Sequence, residues 1–145
     1  MDWKREAADK LRSYAARKCA LGSIKEELWQ LNSRVTSIRS ATTDGTPVSG
    51  GGSGRENAYI NNIVLREELE QRLHDTRRWL SAVDTALSVL SDEEQLVLDR
   101  FYIHPARGNA DRLCEELNLE KAGVYKRKDK ALEHFTYALY GGLSS

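Results

Sequence analysis

Two long segments of this chain carry apolar residues on one helical face. The first lies between Trp3 and Ser40, where Gly22 is the only glycine and there is no proline. Its apolar positions alternate by three and four residues, and they are Tyr14, Leu21, Ile24, Leu28, Leu31, Val35 and Ile38. The second lies between Asn57 and Leu90, and its stripe consists of Leu69, Leu73, Thr76, Leu80, Val83, Leu87 and Leu90. Spacing of this kind is a heptad pattern, and it predicts two amphipathic helices.

The segment between the two patterns is polar and rich in glycine. Residues 41–56 read ATTDGTPVSGGGSGRE and hold five glycines and one proline, so we predict a flexible loop there. Helices of roughly 37 and 34 residues would be about 55 and 51 Å long, which is close enough for them to fold back on one another. The sequence thus predicts a long antiparallel helical hairpin, or coiled coil, over residues 1–90. An engineered linker is the alternative for GGGSG, but a linker would not be expected between two helices of matching length.

Further apolar residues lie outside the second stripe, at Tyr59, Ile60, Ile63, Val64 and Trp79. They can pack against the C-terminal part of the same chain. Alternatively, they can pack against a second copy, so that two hairpins form a four-helix bundle. We favour the second interpretation and expect a homodimer through the hairpin.

The last third of the chain, residues 91–145, predicts three more helices. Ser91 and Glu94 have the S-x-x-E spacing of a capping box, in which each side chain accepts a hydrogen bond from the other residue's backbone N–H. Asn109 is a suitable N-cap for a second helix, and a third, longer helix follows after a tight break and ends at Gly141. A short helix, a sharp turn and a longer helix form the helix-turn-helix pattern. We therefore predict an all-α fold in which the hairpin is followed by a helix-turn-helix domain.

Charge is balanced over the whole chain but not along the last predicted helix. The 145 residues include 22 Lys and Arg and 22 Asp and Glu, whereas residues 121–130 hold five basic residues and Asp129 as their only acid. Cationic side chains on a helix suit contact with DNA phosphates, and Lys128 and Lys130 are the best placed for it. A solvated basic face is the alternative interpretation. The positions on or beside the face opposite Val124, where base edges would be reached, are Lys121, Gly123, Tyr125 and Lys126.

Three stretches of this last third resemble region 4 of the sigma-70 family. They are LSDEEQLVLDRF at 90–101, LCEELNL at 113–119 and VYKRKDKAL at 124–132. In that family a helix that ends in R-[FY] precedes a helix-turn-helix that closes on [KR]-A-L. Together with the predicted hairpin and the TPVSGGG loop, the pattern is similar to small phage and prophage proteins of Gram-positive bacteria. These include the ArpU-like and RinA-like late-gene transcriptional regulators.

The resemblance implies a sequence-specific DNA-binding regulator that activates phage or prophage late genes at promoters. It would act in the cytoplasm of the bacterial host, at the nucleoid, with double-stranded DNA and RNA polymerase as partners. Ala122 and Gly123 replace the polar residues usual in the family, which makes direct base readout sparse, and Arg127 replaces an aliphatic core residue. Sigma region 2, which melts promoter DNA, has no counterpart, so the chain does not resemble a free-standing sigma factor. The candidate DNA-binding residues are Lys121, Ala122, Gly123, Tyr125, Lys126, Arg127, Lys128 and Lys130.

The sequence contains no pattern of a catalytic or metal site. His74, His104 and His134 are thirty residues apart, and none has a second ligand at metal spacing. Cys19 and Cys114 are far apart, as in proteins of the reducing cytosol. No apolar run approaches the ~20 residues that span a bilayer. We therefore expect no enzymatic activity, no metal or cofactor, and no membrane partner.

Two alternatives to a regulator remain open. One is a phage DNA-packaging protein similar in organisation to a small terminase subunit, in which the helix-turn-helix recognises genome DNA and the coiled coil builds a ring. The other is an adaptor whose sigma-like part binds RNA polymerase without contacting DNA. A ring of many subunits would indicate packaging, and a failure to bind any duplex at low salt would indicate the adaptor.

Overall fold

The computed structural model describes the backbone of residues 1–43 and 52–144 and the side chains of residues 1–35 and 54–144. This part of the chain is helical and contains no β-strand, which confirms the predicted all-α class. Asp2 and Ser144 form an isolated antiparallel bridge. The elements, in chain order, are α1 (Trp3–Thr43), α2 (Gly52–Ser88), α3 (Asp92–Leu98), a π-helical segment (Asp99–Ile103), α4 (Asn109–Leu117) and α5 (Lys121–Tyr140).

The helices extend further into the glycine-rich segment than expected. Helix α1 continues through Thr43 and α2 begins at Gly52, so residues 41–43 and 52–56 of the predicted loop are helical. Residues 44–51 of that loop lie outside the described residues. A glycine inside a helix costs only about 1 kcal/mol relative to alanine, which is too little to stop a helix by itself.

The chain divides into two compact units. The first combines Met1–Lys18 with Arg78–Ser145, and the second is Cys19–Arg77. The first unit therefore contains the beginning of α1, the end of α2, and all of α3, α4 and α5. The division of the sequence into domains at residues 1–90 and 91–145 stays a prediction.

The core of the first unit joins segments from both ends of the chain. Phe135 of α5 and Leu11 of α1 are each 0% exposed, and they lie in one cluster with Val83 of α2 and Leu98 of α3. Ala8 and Leu11 lie outside the predicted heptad stripe, and Ala7 lies one heptad before its first member, Tyr14, so the predicted stripe did not include this contact. The buried members of the cluster are Ala7, Ala8, Leu11, Val83, Ala86, Leu90, Leu98, Tyr102, Ala131, Leu132 and Phe135.

The second unit has a smaller core between α1 and α2. Leu28, Leu31 and Leu69 are buried together, and Ile24 and Leu73 pack against them. All five are positions of the two predicted stripes, which confirms that the three-and-four spacing marks the buried faces of these helices.

Several large apolar side chains of the second unit stay exposed. Ile60, Val64 and Leu65 of α2 are 54%, 49% and 42% exposed, and Trp29 of α1 is 66% exposed. Trp79 behaves differently, because it packs against the core cluster of the first unit. Packing within the same chain therefore accounts for Trp79, whereas of the other four extra apolar residues noted in the sequence Tyr59 and Ile63 are half-buried.

The predicted capping box at the start of α3 is confirmed. The Ser91 hydroxyl accepts a hydrogen bond from the Glu94 backbone N–H, and the Glu94 carboxylate accepts one from the Ser91 backbone N–H, each at 3.2 Å. Both interactions satisfy donors that the first turn of a helix leaves without partners. Helix α3 then passes directly into the π-helical segment.

Asn109 has a different role from the N-cap that we expected. It is the first residue of α4, and Gly108, with a φ of 81°, takes the N-cap position. The Asn109 amide instead donates hydrogen bonds to the backbone carbonyls of Arg100, at 2.7 Å, and His104, at 3.3 Å. It thereby links α4 to the end of the π-helical segment.

A buried apolar triad fixes α5 against α3 and α4. Val97 of α3, Leu113 of α4 and Val124 of α5 are each 0% exposed and form one cluster. Between α4 and α5 the chain turns through Asn118, whose φ of 56° lies in the left-handed region that asparagine tolerates better than most residues. The triad determines which side of α5 faces the solvent.

Candidate nucleic-acid interface

One side of α5 carries exposed residues at a spacing of four. Val124 and Ala131 are 0% exposed and mark the side that packs against the protein. With 3.6 residues per turn, Ala122, Lys126 and Lys130 follow one another along the outward side of the helix. All three are exposed. We call these three residues the outward strip.

The eight predicted contact residues do not share one face of α5. Because successive residues turn by about 100° around a helix axis, the eight positions between residues 121 and 130 are spread over most of its circumference. Gly123 and Lys128 are half-buried. The exposed six are Lys121, Ala122, Tyr125, Lys126, Arg127 and Lys130.

Two of the five cations are paired with carboxylates of neighbouring helices. The Lys121 ammonium lies 3.5 Å from the Asp111 carboxylate of α4, and the Arg127 guanidinium lies 2.9 Å from the Glu93 carboxylate of α3. Exposed pairs of this kind contribute at most about 1 kcal/mol to stability. They nevertheless reduce the positive charge that these two side chains offer to a ligand. Arg127 is thus directed to the surface, although it takes the place of an aliphatic core residue in the sigma-like pattern.

The Lys128 ammonium is surrounded by aromatic rings. Its Nζ lies 4.9 Å from the centroid of the Phe101 ring, 5.5 Å from that of Tyr102 and 5.4 Å from that of Tyr125. These distances are within the range of cation–π attraction. We call the three rings the aromatic cage. The Lys128 ammonium is therefore engaged with the protein, and the phosphate contact expected from its charge stays a prediction.

Lys126 and Lys130 differ from the other three cations. Both are exposed, and neither forms an ion pair with a carboxylate in the described part of the chain. Because neither has an ion pair to break, these two of the five basic residues between 121 and 130 can contact a phosphate at the lowest free-energy cost. They are also the two cations of the outward strip.

A groove of about 170 Å³ lies beside Lys130, and Glu94 and His134 both line it. The His134 imidazole and the Glu94 carboxylate form a hydrogen-bonded pair. Burial raises the pKa of Glu94, but hydrogen bonds from His134 and Ser91 outweigh this effect and hold the pKa below its usual value. The ionised carboxylate accepts hydrogen bonds from Ser91 and His134 together, and so it links the start of α3 to α5.

Two residues that modify the charge of α5 were not predicted from the sequence. Asp111 and Glu93 pair with its cations from other helices, and no local pattern indicates such contacts. The cage around Lys128, however, had a signal in the sequence. Lys128 lies four residues after Val124 and three before Ala131, in register with the buried face of the helix.

Among residues 1–35 and 54–144, no group of three or more His, Cys, Asp or Glu side chains is arranged to hold a metal ion. The Cys19 and Cys114 thiols are free. None of the helices in the described ranges combines the length and the apolar character needed to cross a membrane.

Comparison of the chain with protein-family models, with curated proteins and with solved structures finds no match. A function is therefore inferred from the residues and contacts of this chain alone.

Proposed function

We propose that this protein is a sequence-specific DNA-binding regulator, and that α5 binds the major groove of duplex DNA through the outward strip. The observation that carries the proposal is the strip itself, in which Lys126 and Lys130 are exposed and unpaired within the described residues. Such cations can contact phosphates without first breaking an ion pair. The resemblance to sigma region 4 extends the proposal to activation of phage or prophage late promoters.

The geometry around the α4–α5 turn supports a helix-turn-helix assignment. A nine-residue helix, a tight turn through a left-handed Asn118 and a twenty-residue helix follow in that order. The triad of Val97, Leu113 and Val124 holds the second helix by its buried side. In a helix-turn-helix, this arrangement leaves the opposite side of the second helix to enter the groove.

The contact surface that we propose is smaller than the sequence suggested. Ala122, Lys126 and Lys130 form its centre, and Tyr125, which is 44% exposed, lies at its edge. Ala122 has no polar side-chain atom, so base edges would be recognised by few hydrogen bonds. Selectivity would therefore depend on apolar contacts and DNA shape as well as on hydrogen bonds.

A homodimer through a helical hairpin in the second unit is part of the proposal. Here α1 and α2 pack through the leucine cluster, and the Asn62 amide donates a hydrogen bond to the Leu31 carbonyl at 3.4 Å. Ile60 and Val64 lie one turn apart on α2 and remain exposed, as does Trp29 of α1. An exposed apolar face is typical of interaction surfaces. Sedimentation of the purified chain tests this part. A monomer at micromolar concentration would contradict it, and a ring of eight or more subunits would favour the packaging alternative.

The test of DNA binding is a salt-dependent titration against promoter fragments from the protein's own genomic neighbourhood, with a scrambled duplex of equal length as the control. The double variant Lys126→Glu/Lys130→Glu removes both strip cations. A matched control, Lys25→Glu/Arg72→Glu, makes the same change in charge at exposed positions of the second unit. We expect tight, fragment-selective binding by the unmodified chain and by the control, and loss of binding by the strip variant with unchanged helicity.

The slope of log affinity against log salt concentration additionally reports the number of phosphate contacts. Each phosphate contact contributes about −0.9 to this slope, so Lys126→Ala and Lys130→Ala should each make it shallower by about that amount. Equal slopes and affinities for the strip variants and the unmodified chain would refute the proposed face. No binding to any duplex at low salt would refute the function itself and leave the adaptor that binds RNA polymerase.

A further inference from the structure

Lys128 occupies a position on α5 where an apolar residue would be expected. It lies in register with Val124, Ala131 and Phe135, which are all 0% exposed, and it is itself half-buried. A lysine at such a position can bury its methylene stem against apolar neighbours, but its ammonium still needs a partner. No carboxylate in the described part of the chain forms an ion pair with it.

The aromatic cage supplies that partner. Phe101 and Tyr102 come from the π-helical segment, and Tyr125 comes from α5 itself, one turn before Lys128. The Lys128 ammonium therefore attracts rings from two elements at once. One of these rings, Tyr102, is 6% exposed and part of the main core cluster of the first unit. The cage is anchored on this buried side.

Tyr125 is the exposed member of the cage. The residue is 44% exposed, and its ring lies 5.6 Å from the Phe101 ring at an interplanar angle of 49°. It adjoins Lys126 of the outward strip in sequence. An exposed tyrosine at this place offers a hydroxyl and an apolar edge to DNA bases, including the thymine methyl group. Contact with Phe101 and Lys128 restricts the positions that this ring can take before DNA binds.

We infer that Lys128 is a positioning residue, which holds Tyr125 against the π-helical segment in the orientation used for base contact and does not itself bind phosphate. The inference rests on the proposed function of α5. It predicts that Lys128 contributes to the preference for one DNA sequence over another. Lys126, a phosphate contact, contributes to the affinity for every sequence and to its dependence on salt.

The experiment compares three variants of the whole chain. Lys128→Met keeps the stem and removes the charge, Lys128→Arg keeps a cation over the rings, and Lys126→Met is the matched loss of a strip cation. We expect Lys128→Met to leave the salt slope unchanged and to lower the ratio of promoter to scrambled-duplex affinity by roughly 3- to 10-fold, the effect of freeing one side chain. Lys128→Arg should restore the ratio, and Lys126→Met should make the slope shallower by about 1.

A measurement without DNA separates the two proposals. Fluorotyrosine at Tyr125 reports its surroundings through the fluorine resonance of the free protein. We expect a shift or broadening in Lys128→Met and not in Lys128→Arg, with the helicity unchanged in both. An unchanged resonance in Lys128→Met would refute the positioning role even if the protein binds no DNA. A shallower salt slope in Lys128→Met, equal to that of Lys126→Met, would show that Lys128 is a phosphate contact and would overturn the inference.

Discussion

Replacement of Leu11 by alanine tests whether the beginning of α1 belongs to the same folded unit as α5. Leu11 is 0% exposed, and Val83, Leu98 and Phe135 belong to the same cluster. Removing a buried leucine side chain loses its transfer free energy and leaves a cavity, which together cost about 3 to 4 kcal/mol. We expect the free energy of unfolding of the first unit to fall by that amount. Because about 1.4 kcal/mol corresponds to a factor of ten, protected amides in the middle of α5 should exchange roughly 100-fold faster or more.

Hydrogen exchange resolved by peptide gives the assay and its control. The peptide around Phe135 should respond to Leu11→Ala although it lies more than a hundred residues away in sequence. Leu28→Ala is the matched control, since Leu28 is buried in the cluster of the second unit with Leu31 and Leu69. Leu28→Ala should mainly accelerate the exchange of amides near Leu69. Unchanged protection around Phe135 in Leu11→Ala would refute the assignment of α1 to the first unit.

Two further predictions concern the polar contacts that join α4 to the π-helical segment and α3 to α5. Asn109 is 6% exposed and donates two hydrogen bonds to backbone carbonyls, so Asn109→Ala should lower the free energy of unfolding by about 1 to 3 kcal/mol in a denaturant titration; a smaller loss than in an exposed Asn→Ala control such as Asn57→Ala would contradict this. The folded protein holds the pKa of Glu94 below its usual value of 4.5. The ionised carboxylate therefore stabilises the fold fully above pH 4.5, and this contribution is lost as the pH falls through the lower, folded-state pKa. Glu94→Gln should therefore make stability less dependent on pH in this acid range, and an identical acid profile would refute the assigned contacts.

The parts of the fold that depend on local spacing were predictable from the sequence. The heptad positions Leu28, Leu31 and Leu69 are buried, and Ser91 and Glu94 form the expected capping box. Both signals act over distances of less than two helical turns, where backbone geometry alone determines which side chains meet.

The contacts that assemble the first unit were not predictable in this way. Ala7 and Ala8 are buried against distant segments, but alanine is common on every face of a helix and gives little periodic signal. Asn109 has the residue type of an N-cap, yet the carbonyls of Arg100 and His104 accept its hydrogen bonds. The side chain binds the partners that the tertiary structure brings close. A local propensity does not indicate whether the side chain will form hydrogen bonds with these partners or with the helix N-terminus.

Charge along a sequence is an equally incomplete guide to the charge that a helix offers to a ligand. The five cations between residues 121 and 130 form one run in the sequence, but their partners separate them. Lys121 and Arg127 are paired with carboxylates and Lys128 lies in the aromatic cage, which leaves Lys126 and Lys130. Two phosphate contacts correspond to a salt slope of about −1.8, and two copies of α5 on one duplex correspond to about −3.6. The measured slope therefore reports how many α5 helices bind the DNA, and a slope much steeper than −3.6 would require cations outside this helix.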